Sequence, residues 1–207
     1  MAMKLYTGFS PNGTRVTAFL AEKEIDLPIE PVNVAAGETR TEAFLKINPL
    51  GQIPVLELDD GRILTETMAI CRYLEHLHPE NPLMGGTGDE AAFIEMWNRR
   101  MELLLFNAAG DVVVHSHEMF RPMLTQIPEF AAKRQADLNN RLAWLNGEMA
   151  DGRPFVAGEH FTVADITGMA MFLLMGFCQM PVPDGLSHVQ RWQQAICSRP
   201  SFPVIPS

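Results

Sequence analysis

The chain has 207 residues, 47% of them apolar, which suffices for one large core or two small ones. A formal net charge of −9 argues against the clustered basic surface that nucleic acid demands, while leaving small-molecule chemistry open. Its three cysteines, Cys71, Cys178 and Cys197, are odd in number and far apart, which suggests reduced thiols and a cytoplasmic setting.

In chain order, residues 4–7 read as a strand and residues 14–23 as a helix, with Val16, Phe19 and Leu20 as its apolar pattern. No long apolar signal core precedes that strand. Residues 29–34 alternate around Pro31 as a second strand, and residues 42–47 give one or two helical turns. Residues 55–58 and 62–64 flank Asp59-Asp60-Gly61, and Asp-Gly predicts a hairpin. Residues 66–77 then read as an amphipathic helix, with Ile70, Tyr73, Leu74 and Leu77 on one face. The order βαβαββα implies an α/β domain over residues 1–80, built on a four-stranded mixed sheet whose last pair is antiparallel.

Pro79, Pro82 and Gly85-Gly86-Thr87-Gly88 mark a boundary, with residues 81–88 as linker. The glycine cluster lacks the preceding strand and the Lys-Ser/Thr of a phosphate loop. Residues 89–207 read as an all-α domain with periodic segments over 90–120, 129–149, 162–177 and 186–197. In the second of these, Leu138, Leu142 and Leu145 share a face. The run 166–180 is interrupted by Gly168, Gly176 and Gln179 and is too short for a membrane span, so a buried core helix is expected. Thr162 followed by Asp165, with Phe161 before them, is a capping-box variant with a structural role.

The most informative stretch is Ser10-Pro11-Asn12-Gly13-Thr14-Arg15-Val16, where a strand ends, a turn follows and a helix begins. The turn supplies a hydroxyl, an amide side chain and N–H groups without intrahelical partners, a combination that stabilises anions, including a thiolate. The same residue types make ordinary turns and caps. Two further segments follow in order, Asn48-Pro49-Leu50-Gly51-Gln52-Ile53-Pro54-Val55-Leu56 and Leu64-Thr65-Glu66-Thr67-Met68-Ala69-Ile70. With Phe161-Thr162-Val163-Ala164-Asp165, these motifs cover most of the chain, and in them it resembles the glutathione transferase superfamily.

The resemblance implies a thioredoxin-like N-terminal domain that binds glutathione as co-substrate, with no tightly bound cofactor, beside an all-helical domain. It implies a cis bond at Ile53-Pro54, with the Ile53 backbone paired to the cysteinyl part of glutathione and Gln52 reaching the glycyl or cysteinyl region. Glu66 and Thr67 would bind the γ-glutamyl end, where capping by the same residues is equally expected. Lys46 is a candidate for the glycyl carboxylate, and Arg40 a weaker one. Ser10 is the expected hydrogen-bond donor to the glutathione sulfur, with Asn12 the alternative. The Ser-Pro-Asn-Gly run is also close to the Thr-Pro-Asn-Gly or Asn-Pro-Asn-Gly turn of bacterial nu-class members, which favour disulfide reduction. Tyr6 lacks the context of a catalytic tyrosine and reads as a core or edge residue.

No cysteine occupies the turn, so a protein-thiol mechanism has no nucleophile there, and Cys71 reads as a buried structural thiol. His115-Ser116-His117 places two imidazoles at i and i+2, which diverge on a helix, so no metal is expected. A second-substrate pocket is expected between the domains from Phe9, Met101, Leu104, Leu105, Asn107 and His115. The function expected is glutathione transfer to a hydrophobic electrophile by a homodimer, without nucleic-acid or membrane partners. A glutathione-dependent disulfide reductase and a non-catalytic glutathione or hydrophobic-ligand binding protein are the alternatives.

Overall fold

The computed structural model describes residues 3–86 and 88–202. Part of the signal-core reading, at Met1 and Ala2, and part of the linker reading, at Thr87, therefore fall outside the described residues, as do residues 203–207. The chain divides into two compact units, one up to Leu83 and one over Met84–Phe202.

The first unit is a four-stranded sheet in the order β2-β1-β3-β4, formed by β1 (Lys4–Thr7), β2 (Ile29–Pro31), β3 (Val55–Glu57) and β4 (Ile63–Leu64). β1 runs parallel to β2 and antiparallel to β3, and β4 is antiparallel to β3. The helices are α1 (Pro11–Glu22), α2 (Glu42–Ile47) and α3 (Thr67–Leu77). Strand alternation divides the core in two. Tyr6, Val32 and Val55 pack with Phe44 of α2, while Leu5 and Leu56, paired in register, point to the opposite face. α1 and α3 pack against each other, and Val16, Phe19, Ile70, Cys71 and Leu74 are fully buried. The expected face of α3 is corrected at one end: Leu77 is exposed and Cys71 is buried in its place, because residue 71 is the neighbour of Leu74 at i,i+3. Lys23 closes the C-terminal end of α1, its ammonium 2.7 Å from Glu75 and donating to the Glu80 and Asn81 carbonyls.

The second unit is helical, with α4 (Asp89–Arg100), α5 (Asn107–Ser116), α6 (Pro128–Glu148), α7 (Val163–Phe177) and α8 (Ser187–Cys197). The expected single segment over 90–120 is helical as far as Ser116, but Met101–Phe106 forms a widened π turn between α4 and α5. α7 is the central helix, buried from Val163 through Met175. No helix among the described residues is long and apolar enough to cross a membrane.

Asp165 fixes the start of α7. Its Oδ2 accepts from the Thr162 N–H at 2.9 Å and from the Thr162 hydroxyl at 3.1 Å. Its Oδ1 accepts from the Val156 N–H at 2.9 Å and from Trp192 Nε1–H of α8 at 2.8 Å. One buried carboxylate thus ties three parts of the unit together, as buried polar groups must be tied to be tolerated.

Candidate active site

Sheet topology brings three sequence motifs to one end of the first unit. Tyr6 pairs with Val55 and Leu56 with Leu64, so the end of β1, the start of β3 and the end of β4 lie on the same edge. The residues that follow or precede those points are Ser10, Ile53-Pro54 and Glu66-Thr67. From β1 to β4 is two strand spacings, about 10 Å. An extended tripeptide spans about 10 Å as well.

At the first point, Ser10 is the N-cap of α1. Its backbone is extended (φ −160°, ψ 152°), its Oγ accepts from the Gly13 N–H at 3.0 Å, and Pro11 occupies the first helical position. The helix therefore starts before the expected residue 14, because a proline there gives up only an N–H that has no partner anyway. The cap occupies an acceptor lone pair of Ser10 and leaves its hydroxyl proton free to donate outward. Glycine is required at position 13: a Cβ there would stand 2.5 Å from Thr7 Oγ1, 2.6 Å from the Gly8 carbonyl and 2.8 Å from Ser10 Oγ. Asn12 and Phe9 are exposed on the same turn, and Asn12 Oδ1 accepts from Arg15 Nη1 at 3.3 Å.

At the second point the Ile53-Pro54 bond is cis. The loop ahead of it is braced from inside. Asn48, buried, donates from Nδ2 to the Gln52 carbonyl at 2.8 Å and accepts the Leu50 N–H at 3.2 Å. Arg40 donates to the Leu50 carbonyl at 3.3 Å, and Gly51 turns at φ +61° with Arg40 packed against it. Arg40 thus shapes the loop, while Ile53 packs on the Tyr6–Phe44 cluster and the Gln52 side chain is exposed. Lys46 is exposed on α2 and pairs with Glu42 at 2.9 Å.

At the third point Glu66 precedes α3 with φ +69° and ψ 117°. Its side chain makes no capping bond, which corrects the expectation that it caps this helix. A left-handed φ at a long side chain costs of order 1–3 kcal/mol and persists where surroundings over-determine it, commonly at ligand sites. Here it leaves an exposed carboxylate beside the first turn of α3, next to the buried Thr67.

Sequence comparison matches residues 9–77 to the family described as glutathione S-transferase, N-terminal domain, and residues 113–200 to glutathione S-transferase, C-terminal domain. Glutathione S-transferase 2 of Saccharomyces cerevisiae is 31% identical over 199 residues, covering 94% of this chain and 85% of that protein. The chain belongs to the glutathione transferase superfamily. A solved glutathione S-transferase domain-containing protein of Marinobacter aquaeolei VT8 is 36% identical, with a TM-score of 0.89 over 97% of this chain and all of the other. Elongation factor 1-gamma 2 of Oryza sativa is 33% identical over 210 residues, where the match spans 48% of that longer protein.

Within this glutathione transferase fold, Tyr6 is structural. It is buried, it donates to Glu57 Oε2 at 2.8 Å, and burial pushes its phenol above the ordinary value. That hydrogen bond in turn holds the Glu57 carboxyl below the usual range. Of the residues expected around a second substrate, Met101 and Leu105 are fully buried in the helical unit, whereas Leu104 keeps part of its surface and Asn107 is exposed. His115 accepts the Ile127 N–H at 3.1 Å and packs edge-on to Phe130, and His117 accepts the Met119 N–H at 3.3 Å. His115 also lines a cavity of about 400 Å³ with Val112, Arg121 and Gln126.

Arg15 carries no functional motif in the sequence, yet it is buried beside the turn. Its side chain is 1% exposed, and the signal was its spacing, four residues before Phe19 on the apolar face of α1.

The cysteines are free, and burial pushes the Cys71 and Cys197 thiols up to about 12 and Cys178 above its ordinary value. A thiol so raised carries almost no thiolate near neutrality. Iodoacetamide at neutral pH is therefore expected to leave Cys71 unmodified in the native protein, with mass spectrometry as the readout. Rapid carboxamidomethylation of Cys71 in the native protein would contradict its burial.

Proposed function

We propose that this protein is an active glutathione transferase that ionises the glutathione thiol and directs it at a hydrophobic electrophile. The observation that carries the reading is the Ser10 hydroxyl, capped from below by the Gly13 N–H and free to donate, at the same sheet edge as cis-Pro54 and Glu66. Glutathione laid along that edge has its sulfur at Ser10, its cysteinyl backbone at Ile53 and its γ-glutamyl end at Glu66 and Thr67. Gln52 and Lys46 serve the glycyl end. The helix N-terminus and one charge-assisted hydrogen bond favour the anion, so the thiol proton leaves to solvent. The thiolate then forms a bond to the electrophilic carbon, and the leaving group departs with its electron pair. Rate enhancement comes from thiolate stabilisation and proximity. Phe9, exposed beside Ser10, is assigned to the second substrate. Within the helical unit the candidates for the same role are Leu104, Asn107 and His115, which keep surface, with Met101 and Leu105 fully buried among the helices.

The same reading makes the protein a homodimeric detoxification enzyme of the cytoplasm. Dimerisation is supported by the symmetry habit of soluble proteins and localisation by the free cysteines. The Ser-Pro-Asn-Gly turn favours a second reading, a glutathione-dependent disulfide reductase, as the alternative. A third reading is a glutathione or hydrophobic-ligand binding module without turnover, which is compatible with a match to a protein named as an elongation factor rather than as a transferase.

Parallel assays with an aryl halide and with a mixed disulfide of glutathione separate the three. Conjugation with the larger kcat/KM is expected. Turnover of the disulfide alone would move the protein to reductase chemistry, and tight binding with neither activity would make it a binding module.

A further inference from the structure

Arg15 is among the largest fully buried side chains of the protein, a cation set one helical turn behind the sulfur site. A buried guanidinium carries hydrogen-bond donors and no acceptor. Its Nη1 lies 3.3 Å from Asn12 Oδ1, so the neighbouring amide can present only its oxygen to it. The two residues are i and i+3 at the start of α1, which keeps them on one face of the helix. With Oδ1 committed to Arg15, the NH₂ group is the remaining donor of Asn12, an exposed residue two positions from Ser10 on the same turn. The opposite amide orientation would set NH₂ against a guanidinium, donor against donor.

We propose that Arg15 is a positioning residue that fixes the amide orientation of Asn12, so that Asn12 Nδ2–H joins the Ser10 hydroxyl as a second donor to the glutathione thiolate. The proposal rests on the glutathione-activating reading of the site. It turns the choice between Ser10 and Asn12 into a division of labour. Ser10 caps the helix and donates, whereas Asn12 donates only because Arg15 holds its oxygen away. An unheld asparagine would divide its time between presenting oxygen and presenting nitrogen, and its oxygen repels a thiolate.

A double-mutant cycle read on the pKa of the bound glutathione thiol tests this. In the wild type that pKa is expected below the value of free glutathione. Asn12→Ala is expected to raise it by about one unit, the size of one hydrogen bond to an anion. Arg15→Met, which keeps volume and removes the donors, is expected to raise it by a similar amount, yet to add almost nothing in the Asn12→Ala background. Additive shifts would overturn the proposal by showing that Arg15 acts through its charge alone. An unshifted pKa in the wild type would instead overturn the underlying reading.

Loss of a buried arginine endangers folding, so a second measurement uses the native side chains. In a ¹⁵N-labelled wild type, the Asn12 side-chain NH₂ resonances, assigned by their loss in Asn12→Ala, are compared between complexes with glutathione and with S-methylglutathione. A change in both proton shifts is expected where the thiolate acceptor is removed. Unchanged Asn12 resonances would overturn the proposal while leaving Ser10 as the single donor.

Discussion

Replacing Ser10 by alanine is expected to lower kcat/KM for conjugation on the order of 10- to 100-fold, the equivalent of one hydrogen bond to a charged group. The same change is expected to raise the bound thiol pKa by about one to two units, since each unit is 1.36 kcal/mol. The sign of the pH dependence follows. With the pKa raised, the variant holds less thiolate than the wild type at neutral pH, and the deficit narrows as pH climbs past the raised value. A deficit independent of pH would mean that Ser10 acts in binding or folding rather than on the sulfur. The cap complicates the comparison, because Ser10 Oγ also accepts the Gly13 N–H, and losing a cap costs about 1 kcal/mol of stability. Ser10→Thr separates the two roles. It keeps both hydroxyl functions and is expected to recover most of the activity, whereas Ser10→Gly keeps helix stability to within a few tenths of a kcal/mol and loses the rate.

The largest stability effect is expected in the helical unit. Asp165→Ala strips the acceptor from the Val156 and Thr162 N–H groups and from Trp192 Nε1–H, all of them buried. Each orphaned donor costs about 1–3 kcal/mol, so a total near 4 kcal/mol is expected, a large share of the ~5–15 kcal/mol that holds a typical domain folded. Asp165→Asn is expected to be almost as damaging. Both carboxylate oxygens accept from protein donors, and an amide would turn its NH₂ against one of them. Urea unfolding followed by tryptophan fluorescence reads this directly, because Trp192 is itself part of the network. A midpoint within error of the wild type would show that the carboxylate is dispensable.

Much of this architecture was legible in the sequence because local chemistry and tertiary context agree. Asp59-Asp60-Gly61 gave the hairpin, Leu138, Leu142 and Leu145 share a buried face as spaced, and Thr162 with Asp165 opens α7. The disagreements have physical reasons. α1 begins at Pro11 because a proline that interrupts a helix is welcome at its first position. The π turn at Met101–Phe106 is invisible to periodicity, since Leu103, Leu104, Leu105 and Phe106 are apolar whichever way the helix winds. The left-handed backbone of Glu66 has no sequence signature, because a glutamate ahead of a helix reads as ordinary helix-dipole complementarity. That the three motifs expected to hold glutathione meet at one end of the sheet is likewise a property of strand pairing that no single motif carries.

On the proposed function, the turn after β1 lowers the pKa of a bound sulfur. Ultraviolet thiolate absorbance of glutathione, titrated at saturating protein, measures that quantity without choosing an electrophile. The account predicts a pKa clearly below that of free glutathione, lost in Ser10→Ala. A bound thiol that titrates as the free tripeptide does would contradict thiolate activation and leave a protein that holds glutathione without using it.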